Sequence, residues 1–298
     1  MSEADKAHPR LAAAEPMEPR KILIIGAGGH LGQSLIKAMP TAVPVSRPAL
    51  DLASAESIKS FDFSSCAVLI NAAGYTNVDA AETDAGRREA WAVNVAGIGA
   101  LVEAARKHRS TLVHVSSDYV FDGFQEVHAE TESFSPLGVY GQTKAAADAL
   151  VGSLPAHYIL RTSWVIGDGH NFVRTVASLA DRGVNPEVVN DQFGRLTFTT
   201  EISSAIVHLL HVEAPYGTYN ITNDGEPLTW AGIARAVFEA RGRDAASITS
   251  VTTAEYTAGK SLAPRPQHSV LSLDKIVSAG FRPADAMSQL QKYLSSLG

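Results

Sequence analysis

From Lys21 onward the chain alternates short runs of β-branched and aliphatic residues with longer stretches whose apolar positions recur every three or four residues. The short runs predict strands over residues 21–25, 43–46, 68–71, 111–115 and 158–162, and the longer stretches predict helices over 31–39, 87–108 and 140–153. Strands and helices alternating in this way build a parallel sheet covered by crossover helices, so this part of the chain reads as a doubly wound α/β domain of Rossmann type.

Beyond Trp164 the alternation loosens. A helix from Phe172, a short strand near 186–189, a helix over 201–211 and a strand over 217–222 are expected. A further helix starts after Thr229, whose hydroxyl can cap its exposed N–H groups, and a last helix spans 288–297. The expected organisation is a dinucleotide-binding domain over 21–164 and a smaller α/β region over 165–298. That second region is mainly for substrate, with some segments returning to the first core. Residues 1–20, rich in Ala, Glu and Pro, lack the apolar centre of a signal peptide and are expected to form a disordered tail or linker.

Composition narrows the function. The 298 residues are 45% hydrophobic, enough to bury a large core, and 31 acidic against 25 basic residues give a net charge of −6. No basic cluster offers the field that a nucleic-acid backbone or an anionic membrane surface requires, so neither partner is expected. No apolar stretch approaches the roughly 18 residues of a transmembrane helix. The single cysteine, Cys66, cannot form an intrachain disulfide, no Cys/His spacing matches a zinc site, and a cytoplasmic protein without a metal follows. Cys66 itself reads as a core residue at a strand end, with no chemistry.

The first expected strand runs into Gly26-Ala27-Gly28-Gly29-His30-Leu31-Gly32 and then into a helix. This is the order in which helix N-terminal amides receive a pyrophosphate. Gly26, Gly29 and Gly32 fit a three-residue spacing better than GxGxxG, whose last glycine would fall on Leu31. At the end of the second strand, where an NAD site places an acid for the ribose 2′-hydroxyl, the chain has Arg47. Either Arg47 pairs with a 2′-phosphate, favouring NADP, or it is a solvated loop arginine. Asp51 and Leu52 follow, as candidates to lie against adenine.

Tyr140 and Lys144 are one helical turn apart in the third helix, and the strand over 111–115 ends at Ser116-Ser117-Asp118-Tyr119. Ligands bind at the carboxyl ends of parallel strands, which puts Ser117 within reach of Tyr140. A tyrosine with a pKa near 10 is a poor acid at neutral pH, so Lys144 is expected to lower that value while Ser117 orients a substrate carbonyl. Tyr256 and Lys260 repeat the spacing, but near Gly259 and with little helical pattern, so Lys260 need not face Tyr256.

The ordered set GAGGHLG, NAAGYTNVDAAE, VNVAG, HVSSDYVFDG, PLGVYGQTK, RTSWVIG, DQFGRLT and APRPQHSVL resembles the dTDP-4-dehydrorhamnose reductase family, from residue 21 nearly to the end. The resemblance implies reduction of dTDP-4-dehydro-L-rhamnose to dTDP-L-rhamnose by NADPH, with NADH as a second donor, in rhamnose and cell-surface polysaccharide biosynthesis. It implies Ser117, Tyr140 and Lys144 as catalytic, and Thr76, Val78, Asp118, Tyr119 and Trp164 on the substrate side with Ser117. For the cofactor it implies Gly26, Gly29, His30, Leu31, Gly32, Arg47, Asp51, Leu52, Ala72, Ala73, Gly74, Tyr75 and Val115, together with Tyr140 and Lys144. Asn94 is expected to support helix geometry and a water near Lys144. Some family members need Mg2+ to dimerise. A homodimer is the candidate assembly here, yet no ligand cluster is apparent.

Two features separate the alternatives. A nucleotide-sugar dehydratase would carry a glutamate after the strand-end aspartate, where this chain has Tyr119. A 4-epimerase stays open on the catalytic set alone. So does a silent cofactor-binding subunit similar to the regulatory subunit of methionine adenosyltransferase, although Tyr140 and Lys144 are both retained. Leu196 in DQFGRLT stands where many members have proline, which predicts a differently shaped loop beside the substrate.

Overall fold

The computed structural model of the protein describes residues 21–297; the tail expected over 1–20 lies outside them. The first half forms β1 (Lys21–Ile25), α1 (His30–Ala38), β2 (Val43–Val45), α2 (Ala55–Ser60), β3 (Cys66–Asn71), α3 (Asp84–Trp91), α4 (Ile98–His108), β4 (Thr111–Ser117), α5 (Val139–Gly152) and β5 (His157–Thr162). Then come β6 (Val165–Ile166), α6 (Phe172–Asp181), β7 (Glu187–Val189), β8 (Phe193–Gly194), β9 (Thr197–Phe198), α7 (Thr199–His211) and β10 (Gly217–Asn220). The chain continues through β11 (Leu228–Thr229), α8 (Trp230–Ala240), β12 (Thr249–Val251), α9 (Thr253–Thr257), α10 (Asp274–Ser278) and α11 (Ala286–Ser295).

Six parallel strands pair in the order β2-β1-β3-β4-β5-β10. The chain leaves β1 for β2 on one side and then crosses back to β3 on the other. The carboxyl ends of β1 and β3 therefore flank the crevice where such sheets bind ligands. Successive strand residues face opposite sides, and the sequence uses this: Leu23, Ile25, Leu69, Leu112 and Ile159 pack with α4 and α5. Their neighbours Ile24, Ile70, Val113, Tyr158 and Leu160 pack with α1, α7 and α10. Burial on both faces explains why the strand runs look continuously apolar, and truncating one such residue, for example Ile70→Ala, would cost about 2–5 kcal/mol.

A separate core forms beyond Trp164, where α6, α8 and α11 pack around Ile166, Leu196 and Phe198. Leu196 is 2% exposed there. Local signals act as expected: the Thr229 hydroxyl accepts the Gly232 N–H at 3.0 Å and starts α8. Asn171 does the same for α6 through the Arg174 N–H.

The single helix expected over 87–108 is corrected. It starts at Asp84, because the Thr83 hydroxyl accepts the Gly86 N–H, and between α3 and α4 it widens into a π-helical stretch, Ala92–Gly97. The widening lets Asn94 turn inward, where it is 1% exposed. The expected strand over 68–71 begins earlier, at Cys66, whose side chain lies wholly inside the core. Among the described residues no helix is long and apolar enough to cross a membrane.

Candidate active site

The turn after β1 is shaped for close approach. Gly26 has φ +84°, and a Cβ there would lie 2.7 Å from the Ala73 nitrogen in the segment leaving β3. In α1, a Cβ on Gly32 would lie 2.2 Å from the Gly26 carbonyl oxygen, so helix and turn touch backbone to backbone. Gly29 begins α1 without a side-chain cap, no acid occupies the first turn, and a Cβ on Gly28 would meet nothing within 4 Å. Free helix N–H groups beside open space, at the sheet's switch point, fit the pyrophosphate of a dinucleotide.

His30 and Leu31 open α1 on this turn, and His30 lies against the segment after β6, since a Cβ on Gly169 would come within 2.7 Å of its Nε2. Ala72, Ala73, Gly74 and Tyr75 leave β3 across from Gly26, with the Ala72 N–H donating to the Ile25 carbonyl at 3.0 Å. Arg47 is exposed just beyond β2. Asp51 and Leu52 are differently disposed: Asp51 accepts the Ala53 N–H at 3.0 Å, and Leu52 is a buried core residue against which Gly97 packs.

Ser117 ends β4, where its Oγ accepts the Tyr119 N–H at 3.2 Å and donates to Asp118 Oδ1 at 2.9 Å. Tyr140 sits in the first turn of α5, and its ring meets that of Tyr119 edge to face, with centroids 5.4 Å apart. The start of α5 is fixed from a distance: Gly138 supplies no side-chain cap, and Glu82 accepts the Val139 N–H at 2.8 Å instead. Asn94 holds the Tyr75 backbone through both its N–H and carbonyl, and donates to Thr143 Oγ1 at 3.0 Å. It thus ties the exit of β3 to α5.

Electrostatics correct one expectation. Burial pushes the Tyr140 hydroxyl up to about 12; the Ser117 hydroxyl opposes this, and the Asp118 and Asp148 carboxylates add to it. Lys144 does not lower it, because the Lys144 amine donates to the Val115 carbonyl at 2.8 Å and lies 3.3 Å from His114 Nε2. Burial brings Lys144 itself down to about 8, with Asp148 pulling the other way. Asp148 is paired with Arg161 at 2.9 Å, both inside the protein. Asp118 is 2% exposed, its Oδ2 has no hydrogen-bond partner, and burial pushes its carboxyl up to about 6. The Ser269 hydroxyl opposes that rise without a bond of good geometry.

Of the remaining substrate-side candidates, Thr76 is exposed and Val78 half-buried in the segment after β3. Trp164 has φ +46°, rare for a bulky residue, and its indole stacks on Trp230 with centroids 3.8 Å apart. Gly194 makes room for that ring, since a Cβ there would come within 2.7 Å of it. Tyr256 lies in the five-residue α9, and the Lys260 amine does face it, over the ring at 3.8 Å rather than beside the hydroxyl.

Sequence reasoning missed four residues at the site. Glu82 acts across 57 positions and Arg265, paired with Asp79 at 2.8 Å and bearing on Tyr119, across 186, and no local pattern announces either. Asn71 and His114 did carry a signal, being polar residues inside apolar strand runs.

Comparison with known proteins places this geometry. Residues 20–298 match the family described as RmlD substrate binding domain. The chain is 37% identical to a dTDP-4-dehydrorhamnose reductase of Aggregatibacter actinomycetemcomitans, over 92% of this chain and 99% of that one. Its structure is similar to that of a dTDP-4-dehydrorhamnose reductase from Clostridium acetobutylicum, with TM-score 0.86 and 32% identity over 93% of this chain and 99% of that chain. It is also similar to the Bacillus anthracis dTDP-4-dehydrorhamnose reductase in complex with NADP, with TM-score 0.85 and 27% identity over 94% and 100% of the two chains.

Proposed function

Because the chain belongs to the dTDP-4-dehydrorhamnose reductase family, we propose that it reduces the 4-keto group of dTDP-4-dehydro-L-rhamnose to give dTDP-L-rhamnose. NADPH is the reductant and NADH the second donor. The observation that carries this reading is the convergence of Ser117, Tyr140 and Lys144 where β4 ends, with only β3 between it and the strand that leads into the glycine-rich turn.

When bound, the nicotinamide supplies a hydride to the carbonyl carbon. Tyr140 gives its hydroxyl proton to the carbonyl oxygen as negative charge develops there. Ser117, its Oγ fixed by the Tyr119 N–H, orients the ketone. Lys144 holds ribose hydroxyls and, once charged, stabilises the tyrosinate. The backbone of Gly26, Gly29, His30, Leu31 and Gly32 holds the pyrophosphate and Arg47 the 2′-phosphate. Ala72 to Tyr75 and Val115 border the nicotinamide half. Asp51 and Leu52 serve the adenine end through backbone and shape, since Asp51's carboxylate is already engaged.

Thr76, Val78, Asp118, Tyr119 and the part of the Trp164 indole left open by its stack face the sugar nucleotide. On this reading residues 21–164 are the cofactor domain and 165–298 chiefly the substrate region. The protein works in the cytoplasm as a homodimer, without nucleic acid or membrane.

The test generates dTDP-4-dehydro-L-rhamnose in the cuvette with the preceding enzymes and follows nicotinamide absorbance. Oxidation that needs both this protein and the sugar is expected, and Tyr140→Phe should lower it on the order of 10²–10⁴-fold while NADP+ still binds. No oxidation with cofactor binding intact would overturn the reading in favour of a silent binding subunit.

A further inference from the structure

Behind the lysine lie two buried groups that the mechanism above does not use. Asn71 Nδ2 lies 3.1 Å from His114 Nδ1, and His114 Nε2 lies 3.3 Å from Lys144 Nζ. Asn71 and His114 are 0% and 1% exposed, and Lys144 5%, so their polar atoms find these partners away from bulk solvent.

The direction of each bond can be worked out. Asn71 Oδ1 accepts the Ala73 N–H at 3.2 Å, which only an oxygen can do. The nitrogen of the amide is therefore the atom facing His114, and it donates. His114 Nδ1 must accept, so the neutral imidazole carries its proton on Nε2. That proton points at Lys144 Nζ, which can accept it only through a free lone pair, as the uncharged amine. An ammonium there would set donor against donor.

We infer that His114 is a positioning residue which, locked by Asn71 as the Nε2–H tautomer, holds Lys144 as a neutral amine in the cofactor-free protein in mildly alkaline solution. The inference rests on the functional reading only in taking Lys144 as the cofactor-contacting lysine. Lys144 then gains its charge by taking a proton from solvent as its nitrogen leaves His114 for the anionic cofactor. One N–H bond forms on Lys144, one buffer molecule loses a proton, and His114 keeps its own.

Other charges around Lys144 are consistent with this. Asp148 on the same helix favours the ammonium but is itself engaged by Arg161 from β5. Asp118, beyond β4, acts on Tyr140. Burial holds His114 well below its ordinary value, so it stays neutral. Ala73 is also the residue that Gly26 approaches, so the tautomer is set from the wall of the cofactor turn.

Two measurements on the full chain decide it. Heteronuclear NMR of the imidazole nitrogens, without cofactor at about pH 9 and assigned with His114→Gln, should show His114 protonated on Nε2; an Nδ1–H tautomer overturns the inference. Calorimetric titration with NADP+ at about pH 9, in buffers of different protonation enthalpy, should show uptake approaching one proton per chain, lost in Lys144→Met. NADP+ binding with no uptake overturns the inference and leaves the reductase reading standing. Failure of NADP+ to bind at all would overturn the cofactor reading, while the NMR result, which needs no ligand, still decides the tautomer.

Discussion

Glu82 accepts the Val139 N–H at 2.8 Å, and this single bond joins the turn after β3 to the first turn of the helix that carries Tyr140. Gly138 is the residue that admits it, since a Cβ there would come within 2.7 Å of Glu82 Oε1. Loss of a helix cap costs about 1 kcal/mol. Glu82→Ala should lower the unfolding free energy, read by denaturant titration, by that amount and reduce kcat more than it raises KM, because Tyr140 loses its anchor. Glu82→Gln keeps an acceptor oxygen and should recover most of both. Equal kinetics in Glu82→Ala and the parent would show that α5 positions Tyr140 without this bond.

Gly26 is the second position where backbone shape leaves no room for a side chain. Its φ of +84° disfavours any side chain, and a Cβ would press on the Ala73 backbone at 2.7 Å. Gly26→Ala should destabilise the protein by at least about 1 kcal/mol and weaken NADP+ binding by 10-fold or more, roughly the effect of one lost phosphate contact. Thermal melts with and without NADP+ read both effects. A variant that binds NADP+ as the parent does would remove the turn from the cofactor site.

Arg47 is exposed at the end of β2, where no acid stands to hold a ribose 2′-hydroxyl. A guanidinium paired with a 2′-phosphate contributes on the order of 1–3 kcal/mol. Arg47→Ala should therefore lower kcat/KM for NADPH about 10-fold or more and leave NADH nearly unchanged. An equal fall with both cofactors, or none with either, would make Arg47 a solvated loop residue.

The fold was legible because burial on both sheet faces writes continuous apolar runs, and helices with one buried face write a three-to-four repeat. Ile24 and Ile25 illustrate it, adjacent in sequence and packed on opposite sides of β1. That Ser117, Tyr140 and Lys144 gather at the end of β4 was legible through strand ends and helical spacing. What spacing does not encode is direction: Lys144 shares a face with Tyr140, yet its amine reaches the Val115 carbonyl and His114. Contacts between distant segments were equally hidden, as with Glu82 and Val139, or the Trp164 indole resting on Trp230. The break in the helix expected over 87–108 goes with such a contact, in which Asn94 turns inward to hold Tyr75.

Asp118, at the end of β4 beside Ser117, carries a cost in stability whose sign can be derived. Its carboxyl, ordinarily near 3.8, is raised to about 6 by burial, which leaves Oδ2 without a partner. Between those values the folded protein holds a proton that the unfolded chain has released, so stability falls as pH rises from about 4 to about 6 and is flat above. The loss is on the order of 2–3 kcal/mol. Asp118→Asn keeps an oxygen for the Ser117 hydroxyl and has no such titration. Any constant penalty for its extra N–H groups cancels when one compares shapes instead of absolute values. Relative to the parent, the variant should therefore gain about 2–3 kcal/mol between pH values near 4 and 7, measured by urea unfolding across that range. Parallel curves would mean that the Asp118 carboxyl ionises in the fold as easily as in water, and that its burial is relieved by a motion of the strand end.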